Sequence, residues 1–122
     1  MANRKVKDYP DISLDPANIE GMIDFGHIFG RSGEVHIEIG SGKGTFLVSE
    51  ARAYPDNNYL GIEWANKYYK YAVDRIGRWA IGNVRIMRTD AADFLAMHVP
   101  DSSVDRFHIY YPDPWPKARH NK

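Results

Sequence analysis

Hydrophobic positions change period several times along the chain, and each change marks an element. Val35-His36-Ile37-Glu38-Ile39 puts β-branched residues at every second position and stops at a glycine cluster, as a strand does. Residues 43–53 place Phe46, Leu47 and Ala51 at helical spacing until Pro55-Asp56-Asn57 ends the helix. A second strand is predicted over 58–64. Asn66 then caps a helix to about residue 81, with Tyr68, Tyr69, Ala72, Ile76 and Trp79 as its inward stripe and Gly82-Asn83 at its end. Residues 84–89 form a third strand, and 91–97 a short helix carrying Phe94 and Leu95. After the turn Pro100-Asp101-Ser102-Ser103, residues 105–111 form a fourth strand.

The order β-α-β-α-β-α-β predicts an α/β fold: a doubly wound, Rossmann-like parallel sheet, helices on both faces, right-handed crossovers, and ligands beyond the carboxyl ends of the strands. Residues 1–33 break this rhythm. They mix charges, Pro10, Pro16 and glycines with an apolar patch of Met22, Ile23, Phe25, Ile28 and Phe29, predicting a loose arm and a short docked helix ahead of the domain at 34–122.

Composition narrows the function classes. Sixteen basic residues balance 16 acidic ones, so net charge decides nothing about nucleic acid. Without cysteine there is no disulfide framework and no thiolate metal site, and a cytoplasmic protein is expected. No apolar run approaches the roughly 18 residues of a membrane span, and with a basic N-terminus lacking an apolar stretch a soluble protein without a secretory signal is expected. His36-Ile37-Glu38 echoes the H-x-E of zinc deaminases, whose chemistry also needs cysteines; His27, His98 and His108 lack ligand spacing, so no metal is expected.

The candidate chemistry lies at the strand ends. Glu38, Glu63 and Asp90 close three of them, and Asp113 follows the fourth. An acidic rim suits a ligand with hydroxyl and amine donors or a positive charge. Glu38 to Gly44 has the spacing E-x-G-x-G-x-G at a strand-to-helix turn, where absent side chains let a nucleoside approach the backbone. A dinucleotide fingerprint would need glycine at Thr45, and a P-loop would need it at Ile37. Glu63, at the end of the second strand, suits both ribose hydroxyls of a nucleoside cofactor. Taken singly, Glu38 is readable as a buried acid held by hydrogen bonds, and Asp90 as a helix cap.

The run Glu38 to Gly44, Glu63, Asp90-Ala91 and Tyr111-Pro112-Asp113-Pro114-Trp115-Pro116-Lys117-Ala118-Arg119-His120 resembles the bacterial tRNA (guanine-N7-)-methyltransferase family, class I S-adenosylmethionine-dependent enzymes. The resemblance implies methyl transfer from S-adenosylmethionine to N7 of a tRNA guanine, guanine-46 of the variable loop. It implies a cofactor pocket of Glu38, Gly40, Gly42, Glu63, Asp90 and Asp113, with Asp113 also catalytic and Lys117 on the RNA. Where Ala118 stands the family often has a second basic residue.

A complete sheet of this type has seven strands, and four are legible here. The expectation is therefore an N-terminal part of a longer enzyme, its C-terminal portion missing, with the fourth strand (Phe107, Ile109, Tyr111) at an uncovered edge. The alternatives are a catalytically impaired cofactor- or RNA-binding module and, disfavoured by Thr45, a nicotinamide-dependent oxidoreductase.

Overall fold

The computed structural model describes residues 5–109. Five parallel strands form one sheet: β1 (Ser13–Leu14), β2 (Val35–Ile39), β3 (Asn58–Ile62), β4 (Val84–Met87) and β5 (Arg106–Ile109), in the spatial order β1-β4-β3-β2-β5. The helices are α1 (Phe25–Phe29), α2 (Thr45–Ala53), α3 (Asn66–Arg78) and α4 (Ala91–His98), with one 3₁₀ turn at Pro16–Asn18. The α/β doubly wound expectation holds, and the strand and helix order predicted from residue 34 onward is the one observed.

Alternation along the strands divides the core in two. Tyr59, Val84 and Ile86 meet Leu47, Val48 and Ala51 of α2 and Ala72, Val73 and Ile76 of α3 on one face. Val35, Ile37, Leu60, Ile62 and Met87 meet Phe25 and Phe29 of α1 and Phe94 of α4 on the other. Every residue of β3 is buried, because helices cover both of its faces.

Two expectations need correction. Residues 1–33 do not lead in as a loose arm alone: Ser13 and Leu14 pair with Ile86 and Met87 as an edge strand, and the Ile86 amide donates to the Ile12 carbonyl at 2.8 Å. Ile12 and Ile23 are buried with them, so the five strands exceed the four expected by β1. The stripe of α3 is also rotated. Tyr69, Ala72, Val73 and Ile76 face the sheet, whereas Tyr68 and Trp79 are exposed, and Ala65 rather than Asn66 occupies the capping position.

The direction in which the chain winds across the sheet reverses between β2 and β5. From β2 it winds through β3 to β4, and α4 then carries it back across the sheet to the far side of β2. That reversal is the switch point beyond which ligands lie in doubly wound sheets. Asp105 fastens it: its carboxylate accepts from the Val35 amide at 2.7 Å, and its own amide donates to the Val35 carbonyl at 2.8 Å. Among the described residues β5 is the edge, with Phe107 and Ile109 exposed, as the expected strand order implied.

Candidate functional site

The turn from β2 into α2 carries the site. Gly40, Gly42 and Gly44 all have positive φ (80°, 56° and 82°), a conformation that side-chain-bearing residues rarely adopt. The Gly40 amide donates to the Ile62 carbonyl at 2.9 Å, which lays the turn across the end of β3. Gly61 makes this approach possible. A Cβ there would stand 2.5 Å from Leu47 Cδ1 and 3.1 Å from Ser41 Cβ. The spacing of the three turn glycines marks them in the sequence; Gly61 carries a weaker signal, a glycine inside a strand.

Glu63 locks the turn from the neighbouring strand. Its Oε1 accepts from the Gly42 amide at 2.6 Å and its Oε2 from the Ala65 amide at 2.9 Å. A carboxylate has about four lone-pair sites. Each oxygen of Glu63 therefore keeps acceptor capacity while the backbone fixes its orientation.

Glu38 is in the opposite situation. It is buried, its Oε1 has no hydrogen-bond partner among the described residues, and the same holds for Ser41 Oγ. Burial first, and the Glu63 charge second, raise its pKa from 4.5 to about 8. At neutral pH Glu38 is thus mostly the uncharged acid, poised to ionise if a cation comes beside it.

Glu38 and the glycine turn open onto a cavity of about 870 Å³ lined by Glu38, residues Gly40 to Lys43, Phe46 and, from β5, His108. The volume is within the range of small-molecule and cofactor sites. Its far wall was not legible in the sequence. His36 Nδ1 lies 3.0 Å from His108 Nε2, and His36 Nε2 lies 3.0 Å from Glu34 Oε1. A neutral pair satisfies both contacts, His108 donating to His36 and His36 to Glu34. Burial and the neighbouring His36 lower the pKa of His108, which favours that neutral form.

The structure therefore brings Glu38, Gly40, Gly42 and Glu63 together at the switch point. Asp90 stands apart at the end of β4, where its carboxylate caps α4 by accepting from the Asp93 amide at 2.9 Å. Beside Glu63, the exposed Trp64 ring is covered by the Arg88 guanidinium, 4.7 Å from its centroid. Asp113 and Lys117 lie outside the described residues. No group of three or more His, Cys, Asp or Glu among the described residues is arranged to hold a metal ion, and no helix there is long and apolar enough to cross a membrane.

Comparisons with known proteins agree with this geometry. The family described as "putative methyltransferase" matches residues 32–122. A tRNA (guanine-N(7)-)-methyltransferase of Alkalilimnicola ehrlichii is 37% identical over 114 residues, covering 93% of this chain and 48% of that protein. One from Streptococcus gordonii is 35% identical over 111 residues, covering 91% of this chain and 51% of that protein. The chain thus spans about half the length of the curated relatives it matches. Among solved structures, precorrin-6y C5,15-methyltransferase of Geobacter metallireducens aligns over 84% of this chain and 58% of its own, with a TM-score of 0.55 and 20% identity. PKMT2 of Rickettsia typhi in complex with AdoHcy aligns over 62% of this chain and 14% of its own, with a TM-score of 0.55 and 21% identity. Both share the fold.

Proposed function

The chain belongs to this methyltransferase family, and we propose that it binds S-adenosylmethionine at the switch point and serves methyl transfer to N7 of a tRNA guanine, guanine-46 of the variable loop. The observation that carries the cofactor half is Glu38: a buried carboxyl, one oxygen orphaned, in the lining of a cavity beside a glycine turn. A polar atom left unpaired in a buried wall is costly and calls for an explanation. A ligand with an ammonium or sulfonium centre supplies the missing partner and draws Glu38 into its charged form.

The other residues fit the same ligand. Glu63, held by two amides, offers its remaining lone pairs to two adjacent ribose hydroxyls. Gly40 and Gly42 keep the wall free of side chains. Asp90 takes the base end of the nucleoside while capping α4. When bound, the cofactor supplies an electrophilic methyl group on a positively charged sulfur.

The acceptor half rests on the tRNA methyltransferase relatives and on the proline-braced run after Tyr111. Guanine N7 carries an in-plane lone pair and needs no deprotonation, so positioning and water exclusion dominate. Asp113 orients the base and stabilises the positive charge the ring gains, and Lys117 contacts the RNA. Tested first is calorimetric titration with S-adenosylmethionine, with NADH and Glu63→Ala as controls. Saturable binding lost in the variant supports the proposal; a folded chain that binds nothing sinks it. Methyl transfer to a tRNA transcript by this chain, or by a longer protein containing it, is expected to disappear in Asp113→Ala.

A further inference from the structure

The outer surface of α2 and α3, starting at the cavity rim with Lys43 and Thr45 and running on to Arg52 and Trp79, carries an arrangement that neither the cofactor nor the core accounts for. Tyr71 and Arg75 of α3 and Trp79, at its C-cap, recur every four residues, about 6 Å apart along the axis. Each meets a group from the segment containing α2. Lys43 Nζ lies 5.4 Å from the Tyr71 ring centroid, Arg75 Nη1 donates to Thr45 Oγ1 at 3.2 Å, and the Arg52 guanidinium lies 4.8 Å from the Trp79 ring. Arg75 approaches that same ring at 4.7 Å.

One exposed indole therefore holds two guanidiniums. Two like charges share it although neither has a carboxylate partner among the described residues; the acid on this helix, Asp74, is bridged by Arg78. Contact with the Trp79 ring leaves guanidinium N–H donors over: Arg75 spends one on Thr45, and Arg52 makes no hydrogen bond among the described residues. A chain with zero formal net charge has thus gathered unpaired cations along one interhelical seam. Guanidiniums without carboxylate partners, interleaved with aromatics, match a phosphate backbone.

We propose that the Lys43–Arg75–Arg52 seam, braced by Tyr71 and Trp79, is an RNA-backbone contact surface, separate from the residues that choose the target base. It rests on the tRNA reading above and adds where the body of that RNA lies: across the outside of α2 and α3. Phosphate contacts set orientation and affinity and carry no sequence information, so the seam binds tRNA without selecting among tRNAs.

The test measures tRNA affinity by fluorescence anisotropy over a salt series for the parent chain, Arg52→Gln, Arg75→Gln, the double variant and Arg106→Gln, a charge change on the exposed edge strand. S-adenosylmethionine affinity is measured in parallel. Expected are about tenfold weaker tRNA binding by the double variant and a log K against log salt slope shallower by roughly 0.7–0.9 per arginine, with cofactor affinity unchanged. Double-variant binding equal to that of the parent, or weakened no more than in Arg106→Gln, overturns the proposal, as does a parent that binds cofactor but no tRNA. A folded parent that binds tRNA at the seam but no cofactor sinks the cofactor reading instead and leaves the seam standing.

Discussion

Replacing Glu38 by glutamine removes a titration that works against the fold. The unfolded carboxyl ionises near 4.5, whereas the folded one holds its proton to about 8. Between those values the unfolded chain binds fewer protons than the native one, so native stability falls as pH rises. Each tenfold difference in proton affinity corresponds to about 1.4 kcal/mol. The penalty is therefore small at pH 5, roughly 3 kcal/mol at pH 7 and on the order of 4–5 kcal/mol above pH 8, against typical domain stabilities of about 5–15 kcal/mol. Glutamine keeps the shape and does not titrate. Urea unfolding of both chains from pH 5 to pH 9 isolates the effect, because every other titrating group is common to both. The expected result is a difference that moves in favour of Glu38→Gln by about 4 kcal/mol across that range. Any pH-independent cost of burying the amide shifts the whole difference and leaves its slope intact. Parallel pH profiles for the two proteins would refute the account of Glu38 as a neutral acid.

Three further outcomes follow from the same geometry. Saturation with S-adenosylmethionine at pH 7 is expected to release close to one proton, read from the dependence of the calorimetric heat on buffer ionisation enthalpy; no proton release means that Glu38 does not meet the cation. Gly61→Ala drives a methyl group to 2.5 Å from Leu47 and 3.0 Å from Ile86, an overpacking expected to cost about 1–3 kcal/mol in denaturant unfolding, and an unchanged midpoint contradicts it. Asp90→Ala loses the cap of α4 and about 1 kcal/mol, whereas Asp90→Asn keeps the cap; weaker cofactor binding by the asparagine variant at unchanged stability separates ligand contact from capping, and equal binding leaves Asp90 a cap alone.

Much of this was legible because the strands of the central sheet are bounded by their own punctuation. Val35 to Ile39 and the glycines after it announce both a strand and the turn that follows, and Glu63 is placed by the end of its strand alone. What stayed hidden depends on distance. Ser13 and Leu14 are too few to show a period, and only β4 makes them a strand. Tyr68 and Trp79 sit at helical spacing with Ala72 and Ile76 yet are exposed, and Trp79 is covered by Arg52 and Arg75 rather than by the core. His36 and His108 meet across 72 residues. The protonation of Glu38 is a property of its burial, which no residue type declares.

The crossover that carries the chain from β4 back past β2 also sets a temporal order. The cavity needs the glycine turn from one end of the domain and His108 from the other, and the contact that fastens them, Asp105 to Val35, spans 70 residues. Loops of that length close late, since their entropy is lost before any contact repays it. A chain with β2, β3 and β4 paired but β5 undocked has a sheet, a core and the glycine-turn wall, and lacks the wall that His108 supplies. A ligand that touches both walls therefore favours chains whose β5 has docked and draws the population toward them as its concentration rises above its dissociation constant.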